Sequence, residues 1–153
     1  MKTRALQILD ALHIGYDVRE FEEEELTAEE AARKLQLPLE MVFKTLVLRG
    51  NTNGILLACI PGTHELSLKK IARTSGNKIV EMVRLEEVHK LTGYHRGGCS
   101  PLGARKEFPV YIDERIILLE KVCVSAGMRG MQMIVSPDDL IRAARAYTGD
   151  LTD

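Results

Sequence analysis

The chain has no tryptophan, and aromatic residues make up only 5% of its 153 residues. Its core must therefore come from Leu, Ile, Val, Met and Ala. It has three cysteines, Cys59, Cys99 and Cys123, none in a Cys-x-x-Cys pair, so neither a zinc knuckle nor a redox dithiol is signalled. Reduced thiols in a cytoplasmic protein are expected. No apolar run approaches the roughly 20 residues needed to cross a bilayer, so no membrane association is expected. The N-terminal stretch MKTRALQILDALHIG spaces its apolar residues as an amphipathic helix does, unlike a secretory signal. A basic excess is missing too, since the formal net charge is -1. That excludes a protein that holds duplex nucleic acid by phosphate neutralisation alone; a nucleic-acid ligand would be gripped at one end or one loop.

What is present is an ordinary globular balance of 45% apolar and 28% charged residues, at the usual length of one domain. Thr3 caps a helix predicted to reach His13, with Gly15 as its stop, and Tyr16 to Phe21 alternates like a half-buried strand. After the acidic run Glu22 to Glu25, read as a solvated face, Thr27-Ala-Glu-Glu30 has the capping-box pattern of a helix through Leu35. Two apolar runs, Met41 to Leu48 and Gly54 to Ile60, flank a Gly/Asn-rich connection and predict a β-hairpin. A helix capped by Ser67, a short strand at Lys78 to Val80 and a helix from Leu85 to Leu91 follow. Strands are predicted at 110–112, 121–124 and 131–135, and Ser136-Pro137 opens a helix to about Tyr147. With no repeat or linker, residues 1–153 form one mixed α/β domain.

Three features exceed what packing explains. The stretch Thr92-Gly-Tyr-His-Arg-Gly-Gly-Cys-Ser-Pro-Leu-Gly103 carries four glycines and no periodicity. Such a loop can adopt positive φ and aim successive N–H groups at a developing oxyanion. It lacks the Lys-Ser/Thr of a phosphate-binding P-loop. Lys44 interrupts the apolar run Met-Val-Phe-Lys-Thr-Leu-Val-Leu on the face of Leu46 and Leu48, either snorkelling to solvent or serving as a cation at a pocket rim. Ser125-Ala-Gly-Met-Arg-Gly130 reads as a hairpin turn by default, but it could set Ser125 beside the glycine-rich loop. Cys99 and His95 lie close enough in sequence to suggest a nucleophile and base, although nothing marks either as activated. His13, His64 and His89 fall at helix ends or turns with no metal-ligand spacing, so neither a metal nor a cofactor is expected.

Together, Val42-Phe-Lys-Thr-Leu46, Leu68-Lys-Lys70, the Thr92–Gly103 string and Val124-Ser-Ala-Gly-Met-Arg-Gly130 resemble the YbaK-type editing family. That family includes the editing domain inserted in bacterial prolyl-tRNA synthetases. The likeness runs in order along nearly the whole chain, and Gly-Tyr-x-x-Gly-Gly-x-Ser-Pro-x-Gly is its specific part. The resemblance implies a mixed, partly barrel-like β-sheet flanked by helices, and hydrolysis of the ester joining a wrong amino acid to tRNA. It implies that Lys44 and Thr45 bind near the terminal adenosine and its phosphate. It also implies that the Gly97–Pro101 loop, including Cys99 and Ser100, cradles the scissile carbonyl with Gly98 as main donor. Ser125, Gly127, Arg129 and Gln132 are placed at the amino-acid pocket. The Thr-Gly-Tyr form of the loop is most similar to members that clear Cys-tRNA(Pro), in which the substrate's own thiol attacks its carbonyl. Three departures surround the amino-acid side chain: Gln132 where such members tend to have Asp, Leu26-Thr27 where an aromatic is expected, and Ser-Ala-Gly for Ser-Gly-Gly. The partners implied are the aminoacylated acceptor end of tRNA and prolyl-tRNA synthetase. The rival readings are a non-catalytic tRNA-end or nucleotide-binding paralogue, and a small-ester hydrolase using Cys99 and His95.

Overall fold

The computed structural model describes residues 2–22 and 26–153; Glu23 to Glu25, most of the acidic run, lie outside the described residues. The chain order is α1 (Arg4–Ala11), β1 (Asp17–Glu20), α2 (Ala28–Leu35), β2 (Phe43–Gly50), β3 (Gly54–Pro61), α3 (Leu68–Ser75), β4 (Val80–Met82), α4 (Leu85–Thr92), β5 (Val110–Asp113), β6 (Val122–Met128), β7 (Met131–Val135), α5 (Pro137–Ala144) and β8 (Tyr147–Gly149).

Local chemistry starts the helices where expected. The Thr3 hydroxyl accepts from Leu6 N, that of Ser67 from Lys70 N and that of Ser136 from Asp139 N. Thr27 and Glu30 form both halves of a capping box, and the Thr27 backbone N–H holds the Glu30 carboxyl below its ordinary pKa. Element ends depart from the sequence reading for identifiable reasons. α1 ends at Ala11, and the left-handed residue that turns the chain after it is His13 (φ 59°), not Gly15, with Ile14 N closing onto Leu9 O. The predicted strand at 78–80 moves to 80–82, because Asn51 Oδ1 takes the N–H groups of Lys78 and Ile79. α5 stops at Ala144, since Arg145 is left-handed (φ 51°) and Tyr147–Gly149 joins β5 as a parallel strand.

Among the described residues the strands form two sheets, in orders β1-β7-β6 and β4-β2-β3-β5-β8. A single parallel bridge, Val42 to Cys123, links them. The mixed α/β layout with flanking helices is as expected; the partly barrel-like sheet is two sheets that meet at this bridge and do not close. The largest core cluster lies between them and includes Leu9, Val47, Leu57, Ile112, Val124 and Met133. A second lies under α3 around Leu48, Ile60 and Ile71, and a third joins α2 to Val42 and Cys123. β6 serves two of these layers. Val122 and Val124 enter the central core, while Cys123 and Ser125 take the opposite face.

The C-terminal segment is tied down through Asp113, whose side chain is fully buried. Its carboxylate accepts from Arg115 N (3.0 Å), Arg115 Nη1 (3.1 Å) and Leu151 N (3.0 Å), and Arg115 Nη1 also donates to Thr152 Oγ1 (2.7 Å). Among the described residues no helix is long and apolar enough to cross a membrane.

Candidate active site

β2 leaves a gap beside its first half. β4 pairs only with Leu48 to Gly50, and the edge before that faces a cleft of about 200 Å³. α2 walls one side with Thr27 at its start, the β6–β7 face forms another, and the start of α4 closes the far end. The glycine-rich loop hangs over the opening with Arg96, Gly97 and Cys99.

The loop's shape follows from its own bonds. Tyr94 is buried, and its hydroxyl donates to the Leu102 carbonyl, closing the loop across its base. Thr92 Oγ1 donates to Val88 O and accepts from Tyr94 N, and Ser100 Oγ, fully buried, accepts from Leu102 N. Gly97 takes φ 82°, the left-handed region that glycine enters without strain. Gly98 has a different reason. A Cβ there would sit 3.1 Å from Arg129 N and 3.3 Å from Met128 C, so only glycine lets the loop lie against that turn. From the same turn Arg129 Nε donates to Arg96 O at 2.6 Å, pinning the loop from outside.

The structure brings together six of the residues singled out from sequence: Lys44, Thr45, Gly97, Cys99, Ser125 and Gln132 all line the cleft. The other five do not. Gly98 is buried against Arg129, and Ser100 is spent inside the loop. Pro101 faces a separate cleft beside Arg4 and Phe108, and Gly127 lies in another with Tyr94 and Thr3. Arg129 acts on the loop from behind. The default reading of 125–130 as a turn gives way as well, since β6 continues to Met128 through a bulge and only Arg129-Gly130 turns.

Gly98 also cannot be the main oxyanion donor in this arrangement, because its N–H is donated to His95 O at 2.8 Å. Among the described residues, no backbone carbonyl takes the N–H groups of Gly97 and Cys99, both of which line the cleft. Ser125 and Gln132 are directly paired across β6 and β7 and present buried polar groups to the cleft floor. Ser125 Oγ accepts from Gly127 N (3.1 Å), leaving its own proton available. The Cys123 thiol donates to Gln132 Oε1 (3.5 Å), which turns the Gln132 amide nitrogen away from the sulfur. Lys44 is partly exposed, its Nζ 4.0 Å from Glu65 Oε2, and the Glu65 side chain is itself 85% exposed. So loose an ion pair exchanges readily for another anion.

No activated thiol is found. Burial pushes Cys99 up to about 11, and Cys59 and Cys123 up to about 12. The His95 ring stacks on His89 with centroids 4.4 Å apart and does not line the cleft. The paired nucleophile and base of the small-ester hydrolase reading are therefore not assembled. Cys99→Ala is expected to keep most of any hydrolytic activity, and with a substrate that carries no thiol of its own the pH–rate profile is expected to show no thiol ionisation between about pH 7 and 9. A thousandfold loss with the fold intact, measured by circular dichroism and single-turnover kinetics, would contradict this.

Sequence reasoning passed over several lining residues. Arg96 stood in plain view as a variable position of the loop string, whereas Met82, Leu85 and Val88 carry no sequence signal at all. Leu26 and Thr27, noted from sequence as a departure, do line the cleft.

Comparison with known proteins agrees with this geometry. Residues 22–143 match the family model of the aminoacyl-tRNA editing domain. EbsC of Enterococcus faecalis, named as a proposed Cys-tRNA(Pro)/Cys-tRNA(Cys) deacylase, is 41% identical over 99% of this chain and 93% of its own. A crystal structure described as that of a proposed trans-editing enzyme for prolyl-tRNA synthetase superposes with a TM-score of 0.85 at 28% identity, covering 100% of this chain and 99% of that one. A proline–tRNA ligase of Thermosipho africanus is 32% identical over 52% of this chain, a match covering 14% of the ligase. The fold, the cleft beneath the glycine-rich loop and these matches agree: the chain belongs to the aminoacyl-tRNA editing domain family.

Proposed function

We propose that the chain is an aminoacyl-tRNA deacylase that hydrolyses the ester of mischarged tRNA, with Cys-tRNA(Pro) as its first candidate substrate. The observation that carries this reading is a cleft roofed by a glycine-rich loop with backbone donors and no activated nucleophile. An aminoacyl ester is already reactive, so holding its carbonyl against positioned N–H groups supplies much of the needed stabilisation. In this assignment Gly97 N–H and Cys99 N–H face the developing oxyanion, while Ser125 and Gln132 contact the amino-acid side chain. Lys44 gives up Glu65 for the phosphate or ribose of the terminal nucleotide.

With a cysteinyl substrate the substrate sulfur bonds to the carbonyl carbon, the bond from that carbon to the ribose oxygen breaks, and the thiol proton passes to the ribose oxygen. Water then opens the resulting thiolactone. Other amino acids would require direct attack by water. Deacylation of a panel of mischarged tRNAs tests the reading, and absence of turnover on every member would favour the non-catalytic paralogue. Lys44→Ala is expected to cost about 1.5–3 kcal/mol in transition-state binding, seen in kcat/KM; unchanged kcat/KM would reduce Lys44 to a snorkelling side chain.

Selection of the tRNA is assigned to a partner, prolyl-tRNA synthetase, acting with the protein in the cytoplasm. The net charge of -1 gives no broad positive field. Of the short basic groups, Lys70 is committed to Asp150 (2.9 Å) and Thr152 O (2.6 Å), leaving Lys69, Arg73, Arg105 and Lys106 as exposed cations for a few acceptor-stem phosphates. Two tRNAs carrying the same wrong amino acid should be cleaved at similar rates by the protein alone and be discriminated when the synthetase is added. Sharp preference for tRNA(Pro) without the synthetase would refute this assignment.

A further inference from the structure

The sheet edges differ in how they meet solvent. β1, at one edge, is Asp-Val-Arg-Glu, and β4, at another, carries Glu81, so charge discourages a further strand at both. β8 ends the five-stranded sheet beside β5, and no described strand pairs with its outer side. It reads Tyr147-Thr148-Gly149, with no charge and no proline, and Tyr147 is 63% exposed. Nor is it a fraying end. Ser67 N donates to Leu151 O (2.8 Å), Leu66 bridges to Thr152, and Arg115 Nη1 donates to Thr152 Oγ1 (2.7 Å). A firmly held, uncharged edge strand is prepared to receive another strand.

What surrounds β8 says which strand. Of the chain's four tyrosines and three phenylalanines, Phe108, Tyr111 and Tyr147 share one cleft of about 640 Å³. The Tyr111 and Tyr147 rings stack with centroids 5.4 Å apart. Side chains alternate along a strand, so Gly149 faces the same way as Tyr147. A Cβ on Gly149 would lie 3.3 Å from Thr74 Cγ2, so the face next to the ring is a notch floored by Thr74. Arg145 precedes the strand, paired with Glu107 at 3.3 Å, and Asp150 follows it, paired with Lys70 at 2.9 Å. β8 thus carries an aromatic ring, room for a second one, and opposite charges at its two ends. Such a pattern is complementary to its own reverse.

We propose that two copies of this chain associate through their β8 strands, antiparallel across a two-fold axis at Thr148. Pairing Thr148 with the partner's Thr148 sets Tyr147 opposite the partner's Gly149, and the reverse. An aromatic ring lying over a cross-strand glycine covers backbone that has no side chain of its own. The same register sets Ala146 opposite the partner's Asp150. Arg145 then stands next to that carboxylate, in a row of alternating charge from Glu107 through Arg145 and the partner's Asp150 to the partner's Lys70. The two-fold axis makes the row occur twice, and linked charges contribute more than isolated surface pairs. An acidic or a basic foreign segment would suit one end of β8 and be repelled at the other. In the sheet β2, which lines the active cleft, is separated from β8 by β3 and β5, so the association does not depend on the deacylase reading.

The test makes Arg145→Asp and Asp150→Arg as separate proteins. Sedimentation equilibrium at low salt, over a wide range of protein concentration, is expected to show the parent chain exchanging between monomer and dimer. Each variant alone sets like charges at both contacts and is expected to dissociate about 10- to 100-fold more readily. An equimolar mixture of the two restores opposite charges at both contacts and is expected to dimerise at the parent's concentrations. The two side chains are 82% and 52% exposed, and Asp tolerates the left-handed backbone at position 145 (φ 51°), so circular dichroism should show intact folds. Tyr147→Ala is expected to weaken the dimer by about tenfold or more and tests the contact without touching a charge. A parent that stays monomeric throughout overturns the proposal. A dimer weakened by none of the three substitutions overturns it as well, since the contact then lies on another surface. Two weakened charge variants that fail to associate on mixing also overturn it, because the antiparallel register requires Arg145 and Asp150 to meet across the axis.

Discussion

Gly98→Ala is expected to slow deacylation about a hundredfold while leaving the protein folded. The new methyl group would stand 3.1 Å from Arg129 N, 3.3 Å from Met128 C and 3.4 Å from His95 O, all backbone atoms that cannot swing aside. The loop must lift off the Arg129 turn, which stretches the Gly98 N to His95 O bond and carries Gly97 and Cys99 away from the carbonyl site. Loss of one positioned oxyanion donor costs on the order of 10²–10³ in rate. Because φ at Gly98 is not in the left-handed region, the effect is one of contact and not of backbone strain. The fall should therefore appear in kcat more than in KM, with a change in melting temperature of only a few degrees. A variant within threefold of the parent in single-turnover rate would remove the loop from the chemistry. Arg129→Ala, which frees the Arg96 carbonyl without touching the cleft, is expected to fall in the same direction and by less.

The largest stability effect is expected at Asp113, which does not line the cleft. Asp113→Ala strands the Leu151 N–H inside the protein and leaves the Arg115 guanidinium with Thr152 as its remaining bonded partner in this network. Each abandoned buried partner costs about 1–3 kcal/mol. Arg115 is 41% exposed and can rehydrate, which discounts its share. A loss of about 2–4 kcal/mol follows, or about 5–15 °C in melting temperature at this chain length. Deacylation at low temperature should survive, since the network pins β5 to the C-terminal segment and does not approach the loop. Thermal denaturation showing a shift under 2 °C would mean that the tail is held by Leu151 packing alone.

How much was legible from sequence varied with the range of the forces involved. Capping at Thr3, Thr27, Ser67 and Ser136 was readable because a cap is settled within three residues. The β2–β3 hairpin was readable because its turn and both its apolar runs are contiguous. Misplaced ends have a common cause: at Lys78 and Ile79 the side chain of Asn51, more than 25 residues away, takes the amides. At Tyr147 a parallel pairing with β5 competes successfully with helix propensity.

The candidate site divides along the same line. From sequence by itself came the mixed α/β class, the editing-domain motifs, and a glycine-rich loop suited to presenting backbone donors. Those are properties of residue type and near-neighbour order. Which donors remain free was decided by tertiary structure. Gly98 looks equivalent to Gly97 in sequence, but its N–H belongs to His95 O, and the close approach of the Arg129 turn explains why it is glycine. Thr45 likewise lies in an unremarkable strand until β4 stops short at Leu48 and opens the cleft beside it. A backbone hydrogen bond is satisfied or left open by whichever chain passes alongside, and no local pattern records which chain that will be.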